Sequence, residues 1–390
     1  MPPIDPSESL RGMRIALAGG GTGGHIVPGR HLLAHARGAL ADVLWFCTGR
    51  AVEERAFNGL ERDLGACRLE RVALRLEPEG GGAPSLSGLA LRAWPALRTA
   101  RQALRRHDSQ VLIGLGGFTC LPAVLAARSL GIPVALIEIN ATRGKAVRWL
   151  APFASRVFHA WRATLPTSGA TERDVLTGPP LAPVYAQGRP NERDSARARA
   201  ALGFDAARPL LVVLGGSQGA GALNQFIAAN LDELTRQGLQ ILHQTGPGRL
   251  EQGGASRAGY VKSEYVLDVH QALSAATLVL CRGGASTLAE VAALRRPAWV
   301  VPYPHHADRH QERNARELAG GVQIVDEARL AAPFARELVQ LALPGAAGEL
   351  ERRTQELERV FSLDAAARIA AALSQLAQTR TPRSKIAARA

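Results

Sequence analysis

Short apolar runs alternate with stretches of helical periodicity along most of the chain. Met13–Ala18, Val43–Cys47, Val111–Gly114, Val134–Ile137 and Val157–His159 read as buried strands with helical segments between them. The order returns in the second half, where Leu210–Leu214, Leu239–His243, Thr277–Cys281 and Ala298–Val301 are the apolar runs. Runs without polar alternation mark strands covered on both faces, so parallel sheets flanked by helices are predicted. Each half opens on a strand, a glycine-rich turn and a helix, the helices falling near Pro28–Ala36 and Ala222–Thr235. The fold class is therefore α/β, with two Rossmann-like domains.

The pattern divides as follows: a disordered N-terminus over 1–12, a first domain over 13–180, and a linker with a first helix over 181–208. A second domain spans 209–377, its last helix free to pack back on the first domain, and 378–390 is a basic tail. The hinge is placed near 178–190, where Thr177–Pro183 (TGPPLAP) breaks the pattern, and Glu79–Ser87 reads as a mobile loop.

Composition narrows the function classes. The hydrophobic fraction of 46% suits a globular chain rather than a disordered one. Forty glycines in 390 residues exceed the usual ~7% and cluster in a few turns. The net charge of +13 favours an anionic partner. No RNP, helix-turn-helix or finger pattern accompanies it and the arginines are dispersed, so nucleic acid is not expected. The four cysteines have no CxxC spacing, which argues against a zinc module or disulfide framework and for a reducing compartment. The polar N-terminus predicts no secretory signal. Glycines and Pro122 break the longest uncharged runs, Pro209–Leu231 and Ser109–Ala127, so the chain is expected to be soluble or peripheral.

Chemistry concentrates at the glycine turns. Gly19 to Gly24, followed by His25, lie between a strand and a helix, where backbone N–H groups and the helix end favour an anion or diphosphate. The pattern is neither GxGxxG with its acidic partner nor a P-loop. A neutral His25 there suits a base, and a structural role stays open beside it. Gly215–Ala220 repeats the device with Ser217 placed for a phosphate oxygen. Cys281–Glu290 (CRGGASTLAE) is a third turn, with Ser286 as a candidate N-cap and Glu290 placed to accept ribose hydroxyls. Pro302–Asn314 gathers His305, His306, Asp308, His310 and Gln311. No further carboxylate–histidine group completes a metal site, so sugar-hydroxyl recognition is the reading. Leu86–Arg106 carries Trp94, five arginines and no acidic residue. It reads either as a membrane-interface helix or as a buried helix with a basic outer face.

At these motifs the chain resembles the MurG family of membrane-associated N-acetylglucosaminyltransferases. The matching residues are Gly20–His25 (GGTGGH) with Pro28, Gly114–Phe118 (GLGGF) with Pro122, and Glu138 with Asn140. Gly215–Ala220 with Asn224, His243–Gly246, Cys281–Glu290 and His310, Gln311, Asn314 and Ala315 follow in the family's order. The resemblance implies a GT-B glycosyltransferase fold, its two parallel-sheet domains facing across a cleft. It implies inverting transfer of GlcNAc from UDP-GlcNAc to the 4-hydroxyl of MurNAc on undecaprenyl diphosphate, lipid I to lipid II. Another GT-B enzyme using a nucleotide sugar on a glycolipid or small molecule is the alternative. A sugar-nucleotide epimerase and a non-catalytic membrane scaffold stand further off.

By the same resemblance His25 is the first candidate base and Glu138 the second. Thr22, Gly23, Gly24, Asn140, Ser217, Val266, Arg282, Ala285, Ser286, Thr287, Glu290, His310 and Gln311 are donor-binding. Val266 would read uracil through main-chain groups, and Arg282 is the nearest arginine to the departing diphosphate. Gly20, Gly21, Gly116, Gly117 and Phe118 face the acceptor and its diphosphate. No metal or other cofactor is expected. The implied partners are UDP-GlcNAc, lipid I and an anionic membrane surface, with a peripheral location on the cytoplasmic face of the inner membrane. Where the family commonly has NPVR the chain has Pro179, Pro180, Leu181 and Ala182. Phe118 and Cys120 replace the common Tyr and Ser, and Ile137–Asn140 replaces HEQN.

Overall fold

The first unit carries seven parallel strands: β1 (Arg14–Gly19), β2 (Asp42–Cys47), β3 (Arg68–Ala73), β4 (Val111–Gly116), β5 (Val134–Glu138), β6 (Arg156–His159) and β7 (Asp174–Leu176). Their order in the sheet is β3-β2-β1-β4-β5-β6-β7. The second unit carries β8 (Leu210–Leu214), β9 (Gln240–Gln244), β10 (Tyr260–Ser263), β11 (Leu278–Cys281), β12 (Ala298–Val300) and β13 (Val322–Ile324), also parallel. Their order is β10-β9-β8-β11-β12-β13. The computed structural model describes residues 5–76, 86–254, 257–306 and 308–380.

Every apolar run read above as a strand is a central strand. The four strands it does not announce, β3, β7, β10 and β13, are the outer strands of the two sheets. β3 (RLERVA) shows why: an outer strand is only partly covered, so charged residues interrupt it and no apolar run forms. In each sheet the chain reverses direction of travel between two neighbours, β1 and β4 in one and β8 and β11 in the other. The glycine turns lie at the carboxyl ends of these pairs, the place where open parallel sheets bind ligands.

The chain divides into Met1–Pro183 with Asp364–Ala390 as one unit, and Val184–Leu363 as the other. The expected linker is thus mostly part of the second domain. Helix Glu192–Ala201, capped by the Asn191 side chain, packs on helix Val269–Ala275, and Arg296 donates to Ser195 Oγ at 2.8 Å. Helix Ala365–Gln378 packs within the first unit against the short helix Pro6–Ser9.

That N-terminal helix corrects the reading of the N-terminus as disordered over 5–12; residues 1–4 of that expected segment lie outside the described residues. Asp5 accepts the Ser7 N–H at 2.8 Å, Pro6 occupies the first helical position and Leu10 is fully buried. Asp5-Pro6 is itself a helix-start signature. Helix Leu86–His107 covers the basic stretch, with Pro95 inside it. Most of the expected loop over 79–87 and of the tail over 378–390 lies outside the described residues, although Arg380 is present and donates to Asp108 at 2.6 Å.

Candidate active site

In the first unit, β1 runs into Gly20–Thr22 and a single tight turn, Gly23–His25, before helix Val27–Ala34. His25 Nδ1 lies 3.0 Å from the Gly20 carbonyl oxygen. A carbonyl only accepts, so Nδ1 carries the proton and Nε2 carries the lone pair, the tautomer a general base requires. The imidazole edge lies over Gly116, whose φ is +112°. A Cβ there would sit 2.7 Å from His25 Cδ2, so only glycine lets the β4 turn approach. Gly117 backs on the Gly20 carbonyl, and Phe118 stands exposed beyond it.

Beneath this turn the Cys120 thiol donates to the Ala18 carbonyl at 3.1 Å and accepts the Gly116 N–H at 3.2 Å. Burial pushes it up to about 12, so it stays protonated and ties β1 to β4 as a hydroxyl would.

Glu53, which the sequence reading passed over, holds the other side of the loop. It is 1% exposed, and its carboxylate accepts the main-chain N–H groups of Gly21, Thr48, Gly49 and Arg50. The available signal was a glutamate at the third position of helix Ala51–Phe57, where capping boxes place one.

Glu138 needs correction as a candidate base. It is 3% exposed; Oε2 accepts the Gly144 N–H at 2.6 Å and Oε1 the Asn140 N–H at 3.0 Å. Burial raises its pKa and these bonds oppose the rise. The carboxylate, with Asn140 beside it, organises the turn into helix Lys145–Leu150.

In the second unit the turns after β8 and β9 meet backbone to backbone. A Cβ on Gly219 (φ +71°) would lie 2.1 Å from the Thr245 carbonyl oxygen. Gln244 fastens the pair, its Nε2 donating to the Gly216 carbonyl at 2.8 Å and its Oε1 accepting the Val266 N–H at 3.1 Å. That N–H is therefore engaged by the protein. Asn224, fully buried, donates to the Thr245 carbonyl at 2.9 Å and lies 3.0 Å from His243 Nε2. The motif residues Asn224, His243 and Gln244 thus scaffold the loop, and Ser217 is exposed at its tip.

The third turn leads from β11 into helix Ala285–Ala293, whose first-turn N–H groups lack intrahelical acceptors. Ala285 and Thr287 lie in that first turn. The Ser286 hydroxyl is buried with no hydrogen-bond partner among the described residues. Four residues on, Glu290 is 9% exposed and burial pushes it up to about 7, while the Tyr185 phenol donates to it.

Arg282 is not available as expected. Its guanidinium donates to the carbonyls of Val301 (3.0 Å) and Pro302 (3.2 Å) and pairs with Glu327 at 2.7 Å. These contacts tie the turn after β11 to the segment after β12 and to Glu327.

Gln311 Oε1 accepts two main-chain N–H groups, Tyr303 at 2.9 Å and Gly283 at 3.3 Å. That fixes the amide orientation and leaves Nε2 as a donor for a ligand hydroxyl. His310 donates Nδ1–H to Asp308 at 2.7 Å and stacks on His306 at 4.5 Å, so its Nε2 is an acceptor. Among the described residues no three His, Cys, Asp or Glu side chains are gathered to hold a metal ion.

The profile of the glycosyltransferase family 28 N-terminal domain matches residues 15–159, and that of the family 28 C-terminal domain matches residues 210–367. A UDP-N-acetylglucosamine–N-acetylmuramyl-(pentapeptide) pyrophosphoryl-undecaprenol N-acetylglucosamine transferase of Sorangium cellulosum is 38% identical over 388 residues, 95% of this chain and 89% of that protein. One of the same name from Chlorobium luteolum is 35% identical over 94% of this chain and 100% of its own length. The crystal structure of Acinetobacter baumannii MurG superposes with a TM-score of 0.67 at 24% identity, covering 92% of this chain and 98% of that one. The two sheets and their order are those of a GT-B glycosyltransferase, and the chain belongs to glycosyltransferase family 28 and, within it, to the MurG family.

Proposed function

We propose that this protein transfers N-acetylglucosamine from UDP-GlcNAc to the MurNAc 4-hydroxyl of undecaprenyl-diphosphate-MurNAc-pentapeptide, converting lipid I to lipid II in peptidoglycan synthesis. One observation carries the reading. The motif residues form glycine-lined turns at both switch points, in a chain 38% identical to a transferase named for these two substrates.

The reaction asks for three things: a base for the acceptor hydroxyl, a grip on the donor, and relief of charge on the departing UDP. His25 Nε2 takes the hydroxyl proton, its partner Nδ1–H held by Gly20. The hydroxyl oxygen attacks the anomeric carbon from the face opposite the diphosphate, so the configuration inverts. Glu290 accepts the ribose hydroxyls, and Gln311 Nε2 and His310 Nε2 meet hydroxyls of GlcNAc. With Arg282 committed elsewhere, charge on the diphosphate falls to main-chain N–H groups of the Gly215–Ala220 turn, the start of helix Ala285–Ala293 and the Ser286 hydroxyl. Preorganised dipoles of this kind are the larger part of such catalysis. The reading calls for no metal, and turnover unchanged by a chelator tests that point.

The membrane side of the proposal rests on the first unit. Trp94 is 58% and Trp149 64% exposed, with Leu125 and Phe153 also exposed. Trp94, Leu125 and Trp149 lie on elements that pack in sequence, helix Leu86–His107 on Cys120–Ser129 and that on Lys145–Leu150, and Phe153 ends the 3-10 turn Ala151–Phe153 that follows. Arg98 lies 4.9 Å from the Trp94 ring centroid, and Arg128 and Arg148 are exposed nearby in sequence. Apolar rings among arginines suit the surface of an anionic leaflet, here its cytoplasmic face.

Incubation with labelled UDP-GlcNAc and a lipid I analogue, with UDP-GalNAc alongside, tests the function. The expected result is a disaccharide product from UDP-GlcNAc alone. Equal use of UDP-GalNAc, or transfer only to some other acceptor, overturns it.

A further inference from the structure

Tyr185 is the second residue of the second unit. Its ring is 3% exposed and stands edge-on to His270, with centroids 5.1 Å apart. Its phenol donates to the carboxylate of Glu290, on helix Ala285–Ala293. One helical turn before Glu290 lies the buried, unpartnered Ser286 hydroxyl. Nothing in the sequence marks Tyr185, which sits in the short 3-10 helix Pro183–Gln187, more than a hundred residues before Glu290.

A carboxylate that must receive two sugar hydroxyls has to be ionised and aimed. Burial works against ionisation. A basic side chain would restore the charge but draw the acceptor oxygens to itself. A phenol donates one hydrogen bond and favours the ionised form without bringing a charge of its own. The surroundings keep that phenol a donor. Burial, Glu290 and Asp268, the N-cap of helix Val269–Ala275, all push its pKa far up, and His270 packs on the ring edge. A buried tyrosine with two side-chain torsions also fixes the geometry.

We propose that Tyr185 is a positioning residue for donor binding, orienting the Glu290 carboxylate so that the ribose part of the nucleotide is recognised. This rests on the reading that Glu290 receives the ribose hydroxyls of UDP. Tyr185 touches neither uracil nor diphosphate in this scheme, so its effect passes through the ribose alone.

Calorimetric titration of full-length wild type, Tyr185→Phe, Glu290→Gln and the double variant with UDP and 2′-deoxy-UDP separates the possibilities. Wild type is expected to prefer UDP. Tyr185→Phe should weaken UDP by about tenfold, the worth of one hydrogen bond to a charged group, and 2′-deoxy-UDP by less than about twofold. The double variant should lose no more UDP affinity than Glu290→Gln alone. In Tyr185→Phe the pH at which UDP binding develops should move up, because the bond that favours the ionised carboxylate is gone. Equal weakening of both nucleotides, or UDP affinity retained in Tyr185→Phe, overturns the role of Tyr185. A wild type that binds both nucleotides alike overturns the ribose assignment of Glu290 instead, and Tyr185 falls with it.

Discussion

Glu53 accepts the main-chain N–H of Gly21, thirty-two residues earlier in the chain, and so holds the loop that presents His25. Three further N–H groups, from Thr48, Gly49 and Arg50, complete the carboxylate's shell. Glu53→Gln replaces one acceptor oxygen by an amide that must face N–H groups. Turnover should fall by about tenfold to a hundredfold and stability by about 1–3 kcal/mol, the cost of buried donors left unpaired. UDP affinity, proposed to rest mainly on Glu290 and the glycine turns of the second unit, should change less than turnover. Rate, melting temperature and calorimetry together check this.

His25 and Gly116 should respond together. His25→Ala is expected to lower turnover about 10²–10⁴-fold at saturating donor, the usual worth of a general base. Gly116→Ala places a methyl 2.7 Å from the ring at a φ of +112° and should approach the same loss by displacing the imidazole. Near-normal turnover in His25→Ala would remove it as the base.

Donor affinity should depend on pH through Glu290, which ionises at about 7 in the folded protein against 4.5 for an ordinary glutamate. Accepting ribose hydroxyls calls for the ionised form, so UDP affinity should rise with pH through about 7 and flatten in Glu290→Gln. Stability of the unliganded protein should move the other way. Between 4.5 and about 7 the folded state binds the proton that the unfolded state has lost, so stability falls as pH rises there. Melting temperatures of wild type relative to Glu290→Gln across that window show the sign directly.

Arg282 and Glu327 should behave as a structural pair. Either alanine substitution is expected to destabilise the protein, and the double variant by less than the sum, with a coupling of about 1 kcal/mol. If Arg282 met the diphosphate, Glu327→Gln would release it and tighten UDP binding. No such gain is expected.

Replacing Trp94 and Trp149 by serine should weaken co-sedimentation with anionic vesicles while leaving turnover on a water-soluble acceptor intact. Both rings are exposed, so stability should change little.

The chain's alternation of apolar runs and helical stretches determined by itself that there are two parallel sheets, because a strand covered on both faces must be apolar throughout. It also placed the glycine turns, since a close backbone approach such as that of Gly116 to His25 admits no side chain. The outer strands escaped it because partly covered strands mix charge with apolar residues, as Arg68–Ala73 does. What each polar residue does was decided only by tertiary structure. Arg282 and Glu138 looked like reagents but meet carbonyls, N–H groups and a counter-charge from segments up to 45 residues away. Glu53 looked ordinary and became a support for the loop that carries His25. A hydrogen bond is made by whatever the fold brings within 3 Å, and that distance is not written in sequence separation.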